Sequence, residues 1–179
     1  MLEKFRLTPR QWKSVGKWTL YAALFLVVMM VQTVCLGNVR IFGTGLSLLP
    51  IVCCCVCLKE APGNGGVFVL IASLVWCLSG ADSGSLAILL WTSLSILGAI
   101  VCQALLNNRF LSCALCSFIT LLVSETVCFL SKFWFGGAQA DQYLKKVLPG
   151  VLLSMLFYPI LYGLTRSISR IGGNYGTES

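Results

Sequence analysis

The sequence predicts an all-α integral membrane protein: a compact bundle of six transmembrane helices, the second of them short. Three observations carry that expectation. The 179-residue chain is 58% hydrophobic and only 11% charged, against about 25% charged in an ordinary soluble domain, so it lacks the polar groups to cover a water-facing surface. Six apolar segments follow one another with short polar connections between them. The Lys and Arg residues gather at alternate ends of those segments, as they do where cytoplasmic loops of multi-pass proteins retain positive charge.

The first segment, about 18–36, follows the basic stretch MLEKFRLTPRQWKSVGK. At ~1.5 Å per residue it is long enough to cross a hydrocarbon core. No small-x-small cleavage site closes it, which predicts an uncleaved helix rather than a signal peptide. The second segment, about 45–58, is too short to span fully. Pro50 stands near its start, where a missing backbone N–H would go unpaired anyway. The third covers about 65–80 and the fourth about 84–106. The fifth, about 109–134, carries Glu125 in its interior. The sixth, about 147–168, starts beside Pro149, and Pro159 in FYPILY predicts a kink or local break. The organisation expected is therefore a basic cytoplasmic segment (1–17), one transmembrane domain (18–168) and a cytoplasmic tail (169–179).

With six spans, Lys4, Arg6, Arg10, Lys13, Lys17, Lys59, Arg109, Arg166 and Arg170 fall on one side of the membrane, and Arg40, Lys132, Lys145 and Lys146 on the other. That nine-to-four division predicts both termini in the cytoplasm. A five-span arrangement would weaken the asymmetry. The net charge of +7 is thus read as membrane topology and not as an affinity for nucleic acid.

Catalysis finds little material. There are six acidic residues, no histidine, and no metalloprotease or nucleophile-elbow signature. Glu3, Glu60, Asp82, Asp141 and Glu178 lie in connections or tails and read as solvated surface charge. Glu125, in ITLLVSETVCFL, is different, because an ionised side chain inside a membrane helix costs several kcal/mol unless paired or hydrated. It is the candidate buried contact, with a neighbouring helix or with a partner. A protonated, hydrogen-bonded Glu between helices reads equally well. No catalytic, cofactor-binding or metal-ligating residue is assigned, and no cofactor is expected.

The cysteines number ten, and IVCCCVC at 51–57 holds four of them. On a helix, three consecutive residues fan over about 200°, so Cys53, Cys54 and Cys55 cannot converge on one tetrahedral ion, and no histidine is present to complete a zinc site. CALC, Cys113 to Cys116, has redox spacing but sits in an apolar helix that disfavours thiolate. Reduced cysteine is a small, soft apolar side chain, and packing is the reading adopted. Cys57, next to Lys59 at the membrane boundary, is the candidate for lipidation. Ser95 and Ala99 on the fourth segment, and Ser117, Thr120 and Ser124 on the fifth, place small groups along helix faces as candidate packing or interface positions.

Taken in order, LSLLPIVCCCVCLK, GGVFVLIASLVWCLSGADSGSL and LPGVLLSMLFYPILYGLTRSISRIG are similar to the second, third and last helices of the MreD family of rod-shape membrane proteins. The last stretch is the closest, with Pro149, Tyr158-Pro159, Leu161-Tyr162 and a closing Arg. The chain departs from the family at Trp76-Cys77, where many members carry an acid. Glu125 stands where the family often has one. The resemblance implies a non-enzymatic scaffold of the bacterial elongation complex, supporting peptidoglycan synthesis from the plasma membrane, with a fold like the substrate-binding subunits of energy-coupling-factor transporters. The partners it implies are an MreC-like protein and, through it, an elongation transglycosylase and a class B penicillin-binding protein, with membrane lipid around the bundle and neither nucleic acid nor a small-molecule substrate. The competing expectation is a vitamin-binding transporter subunit. That fold recruits its partner through small-xxx-small pairs on helix 1, where this chain has only the adjacent Ala22-Ala23.

Overall fold

The computed structural model describes residues 9–35, 46–79, 84–105, 110–136, 143 and 147–171. Every element among them is a helix. The charges at Glu3, Lys4, Arg6, Arg40, Asp82, Arg109, Asp141, Lys145, Lys146 and Glu178 lie outside the described residues.

Helix α1 runs Pro9–Met30 and continues as a π-helical turn, Val31–Cys35. It begins well before residue 18, inside the basic segment. Proline presets the dihedral of a first helical turn, and Lys17, the last charge before the apolar run, finds a partner inside the bundle. Helix α2 is Leu49–Lys59, α3 Pro62–Leu78, α4 Gly84–Leu105 and α5 Phe110–Gly136. The last apolar segment is divided into α6, Leu148–Leu156, and α7, Tyr158–Ile171, which are bent by 46°. Pro159 cannot donate the backbone hydrogen bond that would carry α6 onward, and the break falls just before it.

The short helix α2 is the axis of the molecule. Every residue from Leu49 to Leu58 is buried, because α1, α3, α4, α5 and α7 all pack on it. LPIVCCCVCL has no polar face to turn outward, and a helix apolar all round belongs in an interior. Its eleven residues give a length of about 16 Å, roughly half the thickness of a hydrocarbon core. Two prolines set that length: Pro50 lies in its first turn, and Pro62 opens α3 after Glu60 and Ala61.

Two glycines of α3 let neighbouring helices come close. A Cβ added to Gly65 of α3 would stand 2.7 Å from the Cys57 Cα, and one added to Gly66 would stand 2.7 Å from the Ile96 Cδ1 on α4. On the opposite flank, Phe68 of α3 meets Trp18, Tyr21 and Phe25 of α1 at ring-centroid distances of 6.0 to 6.3 Å. The outside of the bundle is apolar: Val27, Ile71, Leu89, Leu115, Leu152 and Leu156 are exposed, the surface a lipid-facing protein requires.

Among the described residues two helical stretches are long and apolar enough to cross a membrane, Trp12–Val34 and Phe110–Ser131, and the bent pair α6 and α7 makes a third if it is one span. Helices α2, α3 and the Ile88–Ala104 part of α4 are apolar but shorter. Over the described residues the chain is an all-helical bundle with membrane-embedded character.

Candidate functional site

Both ends of α2 lie among polar side chains from distant helices. The first N–H groups of any helix have no partner within it. At the start of α2 no side chain of its own caps them. Gln32, in the π-helical turn, does so from across the bundle. Its Oε1 accepts from the Leu48 N–H at 2.9 Å and from the Leu49 N–H at 3.2 Å. The Ser154 hydroxyl of α6 accepts from the Ser47 N–H at 3.0 Å. A glutamine carbonyl is thus held where the positive end of the helix dipole favours an acceptor.

At the other end, Glu60 is a junction. Lys17 of α1 donates to its Oε2 at 2.7 Å, and the Tyr21 hydroxyl donates to its Oε1 at 3.0 Å. The Tyr21 oxygen also lies 3.5 Å from the Thr165 carbonyl of α7. The Gln103 side-chain amide of α4 donates to the Glu60 backbone carbonyl at 3.1 Å. The Glu60 side chain is 11% exposed and that of Lys17 14%. The expectation that Glu60 is solvated surface charge is therefore corrected. Only Glu60 and Ala61 join α2 to α3, a connection too short to carry the carboxylate away from the bundle.

Lys59, one residue earlier, points elsewhere. Its ammonium donates to the Tyr162 hydroxyl at 2.8 Å and lies 4.5 Å from the centre of that ring, an attraction between a cation and the electron-rich ring face. Phe110, at the start of α5, packs on Tyr158 and Tyr162 with centroids 5.4 and 5.0 Å away, and its carbonyl accepts from the Tyr158 hydroxyl at 3.3 Å. The beginning of α1, the ends of α2 and α4, the start of α5 and the body of α7 therefore meet at one end of the bundle.

Ser95, Ala99, Ser117, Thr120 and Ser124 are all buried inside the bundle. The Thr120 hydroxyl lies 3.8 Å from the Cys54 thiol, and the Ser124 hydroxyl donates to the Leu121 carbonyl at 3.0 Å. Pro50, Pro149 and Pro159 stand at the starts of α2, α6 and α7. Glu125 is half-buried, and none of the described residues is bonded to it. Its neighbour Thr126 shares a 2.9 Å hydrogen bond with Tyr143. Cys57 is fully buried with Gly65 against its backbone, so its thiol is not at the surface of the bundle. Among the described residues no three Cys, Asp or Glu side chains converge as metal ligands.

Gln32, Lys17, Tyr21, Glu60 and Ser154 were not distinguished by the sequence reading, yet two left a signal. Gln32 is a polar residue inside an apolar run, the same property that marked Glu125. Glu60 lies between a helix-ending Lys and a helix-starting Pro. Comparison with family models, with curated proteins and with solved structures returns no match.

Proposed function

We propose that the chain is a non-enzymatic scaffold of the MreD kind in the bacterial plasma membrane, binding an MreC-like protein and supporting peptidoglycan synthesis along the lateral wall. The observation that carries this reading is the burial of α2, a short helix opened by proline, at the centre of the six apolar segments. It is the segment order on which the resemblance rests. The polar side chains at both ends of α2 bond to groups of neighbouring helices and of the α2 backbone, and so serve the assembly of the bundle. The proposed topology has six spans, α6 and α7 forming one broken span. Both termini then lie on the cytoplasmic side, the side of Lys17, Lys59, Arg166 and Arg170, as the positive-inside pattern requires. The convergence of helix ends around Glu60 supports the same alternation.

The role is one of contact, through helix faces and short connections. Glu125 is the residue proposed to meet a partner, because a carboxyl within a membrane helix and half-open to the outside stabilises an arriving donor. Depletion of the chain in its host tests the function. Rod-shaped cells are expected to round up and lose viability; unchanged rods would contradict the proposal. Replacement with Glu125→Leu is expected to leave the bundle folded and weaken partner binding, and full binding by that variant would remove Glu125 from the interface.

A further inference from the structure

The thiols of Cys102 and Cys113 stand 3.8 Å apart. Cys102 lies in the last turn of α4 and Cys113 in the first turn of α5, and both are 0% exposed. The pair is held by two separate helices, so its approach is a product of packing and not of sequence spacing. It also lies close to an outer boundary of the bundle. Gln103, beside Cys102, is exposed and reaches the Glu60 carbonyl, and Leu111, two residues before Cys113, is 78% exposed. A bonded pair of sulfurs sits about 2.05 Å apart, so the two need to close by roughly 1.8 Å, within reach of side-chain rotation and a small helix shift.

We propose that Cys102 and Cys113 form a reversible disulfide that fastens α4 to α5, making this end of the bundle sensitive to the oxidation state of the membrane. The oxidant is a lipid-soluble two-electron acceptor of the quinone class. Two S–H bonds break and one S–S bond forms; the two electrons and two protons pass to the quinone, which becomes a quinol. A dithiol reductant reverses the reaction by thiol–disulfide exchange. Disulfides that form in reducing compartments are characteristically transient and redox-sensing, and this pair sits under the apolar surface at the end of the bundle where Lys17 and Glu60 meet. Cys116, one helical turn from Cys113, also faces the Cys102 thiol, so a Cys102–Cys116 link is the competing outcome that the peptide map distinguishes.

The test uses the full chain in lipid nanodiscs, treated with a short-chain benzoquinone, denatured, and its remaining thiols counted by maleimide alkylation with peptide mapping. The proposal expects the loss of two thiols, a linked peptide joining Cys102 to Cys113, and full recovery with dithiothreitol. Cys102→Ser and Cys113→Ser, each a small change in a buried site, are expected to abolish the two-thiol loss. Retention of all thiols in the folded chain, while the detergent-unfolded chain is oxidised, would overturn the proposal. So would a link between any other two cysteines, or a two-thiol loss that persists in both serine variants.

Discussion

Lys17 and Glu60, 43 residues apart in sequence, are joined by a 2.7 Å ion pair that closes the first helix onto the end of the buried one. The pair is mostly withdrawn from water, and Tyr21 takes the remaining carboxylate oxygen. Removing one partner from such a pair leaves an uncompensated charge and costs about 3–5 kcal/mol, while replacing both with apolar groups is much less harmful. Lys17→Met and Glu60→Met are each expected to lower the melting temperature of the purified protein clearly. The double variant is expected to recover most of the loss. Thermal unfolding of the four proteins in one detergent provides the double-mutant cycle; strictly additive losses would show that the pair is not a unit.

Gln32 supplies two hydrogen bonds that α2 cannot supply for itself. Gln32→Leu strands the Leu48 and Leu49 N–H groups away from water, at about 1–3 kcal/mol for each group left unsatisfied. Ser154→Ala strands the Ser47 N–H and is expected to cost about the lower end of that range. Unfolding in detergent should rank Gln32→Leu below Ser154→Ala, and both below the parent chain.

The glycines divide sharply. Gly65→Ala would place a methyl 2.7 Å from the Cys57 Cα, which only a backbone shift can relieve, and overpacking of this kind costs about 1–3 kcal/mol. Gly16 and Gly163 have nothing within 4 Å of an added Cβ. There the helix-propensity gain of about 1 kcal/mol should appear uncompensated. Melting temperatures are expected to fall for Gly65→Ala and to hold or rise for the other two.

Cys57 is fully buried, so acyl-exchange labelling of the protein from native membranes is expected to find no thioester there. A maleimide should react with it only after unfolding. Acylation at Cys57 in the folded protein would require α2 and α3 to separate.

The prolines and the apolar runs were legible because their physics is local. Pro50, Pro149 and Pro159 start helices where a missing N–H is harmless, and the six apolar runs give the helix bounds to within a few residues, apart from the early start of α1. The all-round burial of α2 was implicit in LPIVCCCVCL, which has no polar side to offer. The polar junctions were not legible. Glu60 looks like any acid in a connection until Lys17 and Tyr21 are brought to it from 43 and 39 residues away. Gln32 gains its meaning only from the N–H groups of a helix that begins beyond the next connection. The 3.8 Å approach of Cys102 and Cys113 likewise depends on how α4 and α5 pack.

The proposed scaffold role is tested most directly by photo-crosslinking from position 125 in living cells, followed by affinity purification and mass spectrometry. A photoreactive residue in place of Glu125 is expected to capture an MreC-like membrane protein, with the elongation synthases in the same purification. Capture of a transporter energising subunit, together with a vitamin at near one-to-one stoichiometry, would contradict the proposal and favour a transport role.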